Sequence, residues 1–366
     1  MAPAATAAAT ATPATPPAAA TIPTIASPAD AADALRGVDT LLFDQDGVLW
    51  RGDEDVPGAA RALQSLAASS PPEGGGADPD RRRARRRIFF VTNNSTLSRR
   101  AYAAKLTKRL GGLAVEPGQV ICSAWAAAEL LRSRGFGRGG ARAAERVLAL
   151  GEAGLFDELD EAGIAHARGP VLGEGAASAP SEGGGAPSPQ GSVPLASLDC
   201  PPSRVAAFSL DPSIGAVVVG WSSRQFTYAW IAYAAACLRE LPACDTFVVT
   251  NRDAADALPT GRLLPGTGAL VAAVEAAAGG GRVAVDAGKG GRWLHELLPR
   301  AIPDFDPRRA AMVGDRLDTD VAFAVEGGFR AAVLTLTGVA TRAEAEAAAA
   351  GSRPTHVVAS VADLAL

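Results

Sequence analysis

Four aspartates that follow two apolar runs have the clearest potential for chemistry in this chain. Asp44 and Asp46 come directly after one apolar run, and Asp315 and Asp320 follow another, about 270 residues further on. A short apolar run that ends in polar residues is typical of a buried strand and its end. Because the carboxyl ends of strands line the ligand crevice of an open α/β sheet, we expect the four carboxylates to converge.

Two further motifs lie between the acidic ones. Thr92, Asn93 and Asn94 form a hydroxyl-and-amide motif after a third apolar run, and Lys289 stands between two glycines. Acids, amides and one lysine at strand ends together indicate a magnesium-dependent site that acts on a phosphate.

Hydrolysis of a phosphate monoester is among the slowest uncatalysed reactions, because negative oxygens shield the phosphorus atom. Asp44 is the candidate nucleophile, which would form an aspartyl-phosphate. Asp46 is the candidate general acid for the leaving group and then the base for the hydrolytic water. Lys289 is a compact cation that can neutralise both the Asp44 carboxylate and the phosphate.

Magnesium prefers oxygen ligands and usually keeps several waters. The predicted ligands are the Asp44 carboxylate, the main-chain carbonyl of Asp46 and the Asp315 carboxylate. The phosphoryl oxygens would be held by Thr92 and by the backbone N–H groups and amides of Asn93 and Asn94, which we expect at the start of a helix.

Each motif taken alone has a simpler interpretation. An Asp-x-Asp after a strand is commonly turn or cap chemistry, and a Thr-Asn-Asn-Ser run is commonly a helix N-cap. The Gly-Asp motif at Asp315 is also compatible with a calcium loop. Four motifs in order, each at a strand end of one α/β pattern, favour the enzymatic interpretation.

The composition excludes several other classes of protein. The chain has 366 residues, a net charge of -4 and 48% hydrophobic residues, which predicts one large or two medium domains and no general affinity for nucleic acid or membrane. The four cysteines have no metal-ligand spacing, and three histidines give little material for a zinc site or a Ser-His-Asp triad. We therefore expect reduced, structural thiols.

The first 37 residues form a leader in this interpretation. Residues 1 to about 30 are Ala, Thr and Pro with almost no charge, so we expect disorder there. Organelle transit peptides are also acid-poor and hydroxyl-rich, but they usually carry arginine, and none precedes Arg36 here. Cytoplasm and chloroplast both remain open as compartments.

Two segments look like insertions. Arg81 to Arg87 contains six arginines in seven residues, a composition that suits nucleic-acid binding or targeting, but its place between two core elements favours a solvated surface loop. Residues 172–203 are rich in Gly, Ser and Pro and are predicted to be disordered.

The remaining pattern alternates strands and helices, which predicts an α/β fold. The predicted strands are 40–43, 88–92, 147–150, 216–220, 246–250, 283–285 and 310–313. The predicted helices are 58–69, 153–162, 229–239, 266–278 and one that begins at Trp293. The predicted domains are a core of residues 38–132 and 265–366 and an inserted unit of residues 133–264.

The motifs FDQDGVLW, FVTNNST, GK and GDRLDTD resemble the four signature motifs of the haloacid dehalogenase superfamily. The sequences of these motifs are similar to those of the eukaryotic branch that contains phosphoglycolate, pyridoxal phosphate and 4-nitrophenyl phosphatases. The resemblance runs from about Val38 to the C-terminus. It implies a Rossmann-like parallel-sheet core with a large inserted α/β cap domain, a Mg²⁺ cofactor, and a small phosphorylated metabolite as the substrate.

For the residues, the resemblance implies the same roles as above for Asp44, Asp46, Thr92 to Asn94, Lys289 and Asp315, and it adds Asp320 as a residue that orients the site. The chain departs from the family pattern at Gly290 and Gly291, where a proline and a small hydroxyl residue usually follow the lysine. We also expect a homodimer through the cap.

The substrate expected first is 2-phosphoglycolate, a metabolite of photorespiration. Asp256 stands where pyridoxal phosphatases carry a cap histidine, and Asp318 is more typical of phosphoglycolate phosphatases. Arg252 and Arg262 are candidate partners for a substrate carboxylate, although both could instead form structural ion pairs. Pyridoxal 5'-phosphate or 4-nitrophenyl phosphate as substrate, and a non-catalytic relative that only binds a phosphometabolite, are the alternatives.

Overall fold

The computed structural model describes residues 21–70, 85–168, 200–257 and 261–366. Numbered along the chain, the strands are β1 (Thr24–Ile25), β2 (Thr40–Phe43), β3 (Trp50–Arg51), β4 (Glu54–Asp55), β5 (Arg87–Thr92), β6 (Val120–Cys122), β7 (Arg146–Leu150), β8 (His166–Ala167), β9 (Ile214–Val219), β10 (Thr246–Val249), β11 (Ala255–Ala257), β12 (Leu263–Pro265), β13 (Val285–Asp286), β14 (Ala310–Gly314), β15 (Ala331–Thr335) and β16 (His356–Val358).

The α-helices of these ranges are α1 (Pro28–Ala34), α2 (Ala59–Ala68), α3 (Arg99–Arg109), α4 (Ser123–Ser133), α5 (Ala153–Glu161), α6 (Pro202–Ala206), α7 (Tyr228–Glu240), α8 (Thr267–Ala278), α9 (Arg292–Ala301), α10 (Ala322–Glu326) and α11 (Arg342–Ala347). None of them combines the length and the apolar character that a membrane crossing requires.

Two parallel sheets organise the described residues. The first has the order β1-β16-β15-β14-β2-β5-β6, and the second has the order β13-β10-β9-β7-β8. Their central strands are buried along their whole length, which explains the continuous apolar runs in the sequence. The second sheet is inserted between β6 and β14, so the predicted Rossmann-like core with an α/β cap domain is confirmed.

The N-terminal segment corrects one prediction. Residues 22–37, which were assigned to the leader, are ordered: β1 pairs with β16, and the side chains of Ile22, Ile25 and Leu35 are buried in the core. Helix α1 begins after Ser27, whose side chain accepts a hydrogen bond from Asp30 N at 3.2 Å. The few apolar residues of this segment are enough to order it, because they pack against the edge of a sheet that the rest of the core already forms. The rest of the predicted disorder, residues 1–20, lies outside the described residues.

The arginine run is also different from the expected solvated loop. Arg86 is buried, with 4% of its surface exposed, and its Nε donates to Val38 O at 3.2 Å. Arg87 is the first residue of β5. The end of this run is therefore part of the core, whereas residues 81–84 lie outside the described ranges. Of the 172–203 insert, only the last four residues are described, and α6 begins there at Pro202.

The boundary at residue 265 is wrong. Strand β13 pairs with β10 of the second sheet, and α8 packs beside α7 in the hydrophobic core of that sheet. Two parallel strands need a crossover element, and α8 supplies it between β10 and β13. The cap therefore extends to about residue 287, directly before Lys289.

Cap and core are in contact through α5. Glu158 is buried, and its carboxylate accepts from the backbone N of Arg99 at 2.6 Å and from Arg99 Nε at 3.1 Å. Gly154 N donates to Thr96 O at 3.0 Å in the same region. These contacts place the cap over the loop that follows β5.

Candidate active site

Three adjacent strands of the core sheet deliver the predicted acidic and hydroxyl residues to one edge. Strand β14 pairs with β2, and β2 pairs with β5, all parallel. Asp315, Asp44 and Thr92 therefore stand at neighbouring strand ends. Lys289 lies on the loop that follows β13 of the cap sheet.

Lys289 lies between two carboxylates. Its Nζ is 2.9 Å from Asp44 Oδ1 and 2.5 Å from Asp320 Oδ1. All three residues are buried. Burial lowers the pKa of Lys289, but the ion pairs with Asp320 and Asp44 outweigh it and raise the pKa, so the amine stays charged. Burial raises the pKa of Asp44 well above its usual value, and Lys289 opposes this shift.

Asp315 has one oxygen held and one oxygen without a partner. Oδ2 accepts from Val339 N at 2.8 Å, whereas the buried Oδ1 has no hydrogen-bond partner among the described residues. Burial and the nearby Asp320 raise the pKa of Asp315 to about 7. A Cβ on Gly338 would lie 1.9 Å from Oδ2, so the backbone of this loop packs directly on the carboxylate.

This arrangement fits a bound cation. Ligand oxygens of Asp44, Asp315 and Asp320 all lie within 4.8 Å of one another. A buried carboxylate oxygen without a donor is unfavourable unless a cation or proton compensates for it. Asp320 is the least available of the three, because its Oδ2 already accepts from the backbone N of Asp315 and Arg316, each at 3.1 Å. Asp44 and Asp315 are therefore the carboxylates best placed to hold a metal. Both oxygens of Asp320 are already engaged by Lys289 and by the backbone, and its orienting role stays a prediction.

Asp46 is exposed and lies on the loop that follows β2. Its Oδ1 accepts from the indole Nε1 of Trp50 at 2.7 Å. Gly47, with φ of 82°, makes the tight turn between these two residues. The carboxylate that was predicted to be the general acid is thus held at one oxygen on the solvent side of the site.

The Thr92-Asn93-Asn94 motif differs in two ways from its prediction. Helix α3 begins at Arg99 after the N-cap Ser98, so Thr92 is the last residue of β5, and Asn93 and Asn94 lie in the loop after it and not at a helix start. Asn93 uses its whole side chain inside the protein: Oδ1 accepts from Lys289 N at 2.9 Å, and Nδ2 donates to Asp253 Oδ1 at 3.0 Å. Its amide therefore holds the lysine loop and the cap and is not free for a phosphate.

The other two members of this motif remain at the site edge. Thr92 is buried, and its Oγ1 accepts from Asn94 N at 3.1 Å. Asn94 Oδ1 accepts from Thr96 N at 3.0 Å, so the side chain shapes the loop.

The two cap arginines have different surroundings. Arg252 Nη2 pairs with Glu275 Oε1 at 2.7 Å and donates to Ala284 O at 2.7 Å. Arg252 therefore forms an ion pair within the cap, which was the structural alternative, and its role as a carboxylate partner stays a prediction. Arg262 is exposed directly before β12, in the hairpin that β12 forms with β11.

Two residues near the site were not identified from the sequence. Burial raises the pKa of Asp253, and the positive charges of the nearby Lys289 and Arg316 oppose this shift. Arg316 forms a two-point ion pair with Asp318, at 3.1 and 2.8 Å. Asp253 follows β10 in the motif TNRD, and its position after a strand end was the signal that could have identified it.

The site combines aspartates at strand ends, a buried lysine and a pair of carboxylates that can bind a cation. This combination places the chain in the class of phosphoric monoester hydrolases. A family model described as haloacid dehalogenase-like hydrolase matches residues 41–165, and a second, HAD-hydrolase-like, matches residues 286–364. The chain belongs to the haloacid dehalogenase-like hydrolases.

Two of the three relatives described next are named as phosphatases. The chain is 39% identical to chicken (Gallus gallus) glycerol-3-phosphate phosphatase, a match that covers 90% of this chain and 92% of that protein. It is 37% identical to human chronophin, a match that covers 88% of this chain and 91% of that protein. It is 30% identical to phosphoglycolate phosphatase 2 of Arabidopsis thaliana, covering 82% and 84%.

Solved structures agree with this family. A glycerol phosphate phosphatase from Mycobacterium tuberculosis in complex with magnesium superposes with a TM-score of 0.63 at 28% identity and covers 91% of this chain and 78% of that one.

Proposed function

We propose that this chain is a magnesium-dependent phosphatase of small aliphatic phosphate monoesters, with glycerol 3-phosphate as the first candidate substrate. One observation supports the phosphatase reaction above all: the buried Lys289 amine lies between Asp44 and Asp320, and the Asp315 oxygen that has no partner lies close to them.

The reaction follows from the positions of two aspartates. Asp44 attacks the phosphorus atom, and the bond from phosphorus to the ester oxygen breaks as the aspartyl-phosphate forms. Asp46 gives a proton to the departing oxygen. It then removes a proton from the water that attacks the aspartyl-phosphate, and inorganic phosphate leaves. Lys289 opposes the rise that burial causes in the Asp44 pKa, and its charge faces the negative phosphoryl group.

The metal proposed for this site is Mg²⁺, held by Asp44, Asp315 and the main-chain carbonyl of Asp46. When bound, it would neutralise charge on the phosphoryl oxygens. Support comes from the oxygen-only ligand set, which suits a hard cation, and from the magnesium complex of the mycobacterial relative.

Substrate choice depends on the cap, because the core motifs contact groups that every phosphate ester shares. Arg252 is engaged by Glu275, so the cap offers one fewer preformed partner for a substrate carboxylate than the sequence suggested. This favours a neutral leaving group such as glycerol, which is also the leaving group implied by the name of the chicken relative.

The second candidate substrate is 2-phosphoglycolate. Arg262 is exposed on the β11–β12 hairpin, and the plant relative is named a phosphoglycolate phosphatase. A guanidinium on this hairpin would pair with the carboxylate of the substrate if the hairpin covers the leaving group.

The test is phosphate release from glycerol 3-phosphate, 2-phosphoglycolate, pyridoxal 5'-phosphate and 4-nitrophenyl phosphate, with magnesium or with chelator. We expect turnover only with magnesium, and a kcat/KM for glycerol 3-phosphate at least about tenfold above that for pyridoxal 5'-phosphate. Asp44→Asn, which keeps the shape but cannot attack, is the inactive control. Preference for pyridoxal 5'-phosphate would contradict the substrate class, and full activity in chelator would contradict the metal.

A further inference from the structure

Trp50 is a buried aromatic residue that contacts the exposed Asp46. Only 1% of its surface is accessible, yet its indole Nε1 reaches Asp46 Oδ1 at 2.7 Å. The backbone of the same loop closes on itself, because Gly47 N donates to Trp50 O at 2.7 Å. The indole and the carboxylate therefore belong to one compact turn.

Helix α3 holds Trp50 in place. Lys105 Nζ lies 4.2 Å from the centre of the indole ring, and the Arg109 guanidinium lies 4.9 Å from it. Their spacing of four residues puts both cations on one face of the helix. Arg109 Nε also pairs with Asp55 Oδ1 of β4 at 3.2 Å, so the β3–β4 hairpin is fixed to the same helix face. Cation–π contacts of this kind favour one ring position.

We propose that Trp50 is a positioning residue that aims the Asp46 carboxyl group at the leaving oxygen. This inference rests on the proposed function, in which Asp46 is the general acid. The last torsion of an aspartate side chain is broad, so an exposed carboxyl group has no preferred orientation of its own. The indole N–H holds Oδ1, and Oδ2 is left to carry the proton that the leaving oxygen receives.

The effect of Trp50 then depends on how much the leaving group needs a proton. A basic leaving group such as an alkoxide or 4-methoxyphenolate cannot depart without protonation. In contrast, 4-nitrophenolate departs with little help from an acid. A residue that only stabilises the fold would change turnover of both kinds of substrate by the same factor.

The experiment uses the full chain and three aryl phosphates that share one ring: 4-nitrophenyl, phenyl and 4-methoxyphenyl phosphate. Trp50→Phe keeps an aromatic ring under Lys105 and removes the N–H. We expect kcat to fall by about tenfold or more for 4-methoxyphenyl phosphate, by a similar factor for phenyl phosphate, whose leaving group is almost as basic, and by less than about twofold for 4-nitrophenyl phosphate. Arg109→Gln, which releases the hairpin from α3, should show the same order of losses at smaller size.

A matched control and a double variant complete the test. Trp293→Phe removes another buried indole hydrogen bond, to Ala126 O at 2.8 Å, and should change all three substrates equally. On an Asp46→Asn background, Trp50→Phe should cause no further loss with phenyl phosphate, because Trp50 acts through Asp46.

Two results would overturn the inference while leaving the phosphatase proposal intact. One is an equal loss for all three substrates in Trp50→Phe and Arg109→Gln. The other is a full additional loss in the double variant. If the unmodified chain releases phosphate from no ester, the proposed function itself is wrong, and the role of Trp50 with it.

Discussion

Replacement of Lys289 by methionine is the most informative perturbation of this site. Lys289→Met keeps the length of the side chain and removes the cation that contacts both Asp44 and Asp320. Two buried carboxylates, with Asp315 close by, would then face one another without compensation. We expect loss of stability and loss of activity together.

The size of the stability loss follows from the burial of the group. Lys289 has 4% of its surface exposed, and Asp320 has none. Removing one partner of a buried ion pair costs about 3–5 kcal/mol, which lowers Tm on the order of 10 °C in a chain of this size. The carboxylates will take up protons to reduce the repulsion, so the loss should be smaller at pH 5 than at pH 8.

The assays are thermal unfolding and turnover of 4-nitrophenyl phosphate, both with and without magnesium. We expect kcat to fall by at least about 100-fold, because a charge that faces the phosphoryl group is lost. Magnesium should restore part of the lost stability through binding to the more acidic site. Lys108→Met, which removes an exposed lysine of α3, is the matched control and should leave both measurements unchanged. A Lys289→Met variant with the Tm and kcat of the unmodified chain would refute the described ion-pair geometry.

Three further predictions test other parts of the site. Asp253→Ala leaves the Asn93 amide without its acceptor. The free energy of unfolding should therefore fall by about 1–3 kcal/mol, and turnover should fall with it. A urea unfolding curve identical to that of the unmodified chain would contradict this. Burial raises the pKa of Asp286 to about 6, so the folded state binds more protons than the unfolded state between about pH 4 and 6, and stability falls as pH rises through that window. Asp286→Asn should therefore be more stable than the unmodified chain at pH 8, by on the order of 1–3 kcal/mol, and equally stable at pH 4. A stability advantage of the variant at pH 4 but not at pH 8 would contradict the raised pKa. Asp315→Ala should lose the rise in Tm that magnesium gives, and a full rise measured by scanning fluorimetry would exclude Asp315 as a ligand.

The sequence was sufficient where a signal is local. Asp44, Thr92 and Asp315 each follow an apolar strand, and the strand ends of a parallel sheet meet at one edge. The predicted strands and helices around them lie within two residues of the observed ones. The convergence of these three residues at one edge therefore follows from the apolar runs that precede them and from the geometry of a parallel sheet.

The sequence was not sufficient where a residue depends on a distant partner. Arg252 looked available because Glu275, its ion-pair partner, lies on α8, 23 positions further along the chain. Asn93 looked like a phosphate ligand because its contacts with Asp253 and Lys289 span 160 and 196 positions. Strand β13 has two residues, too short for any period to show which sheet it joins.

The pairing of β1 with β16 has a consequence for any shortened form of the protein. A strand that loses its neighbour presents unpaired N–H and C=O groups, which can pair with another chain. Loss of residues 21–37, whether through a processing protease or through the choice of an expression boundary, would leave one edge of β16 unpaired and also uncover the apolar surface under Leu35. Versions that start at Thr21 should remain dispersed in solution, whereas versions that start at Val38 should self-associate.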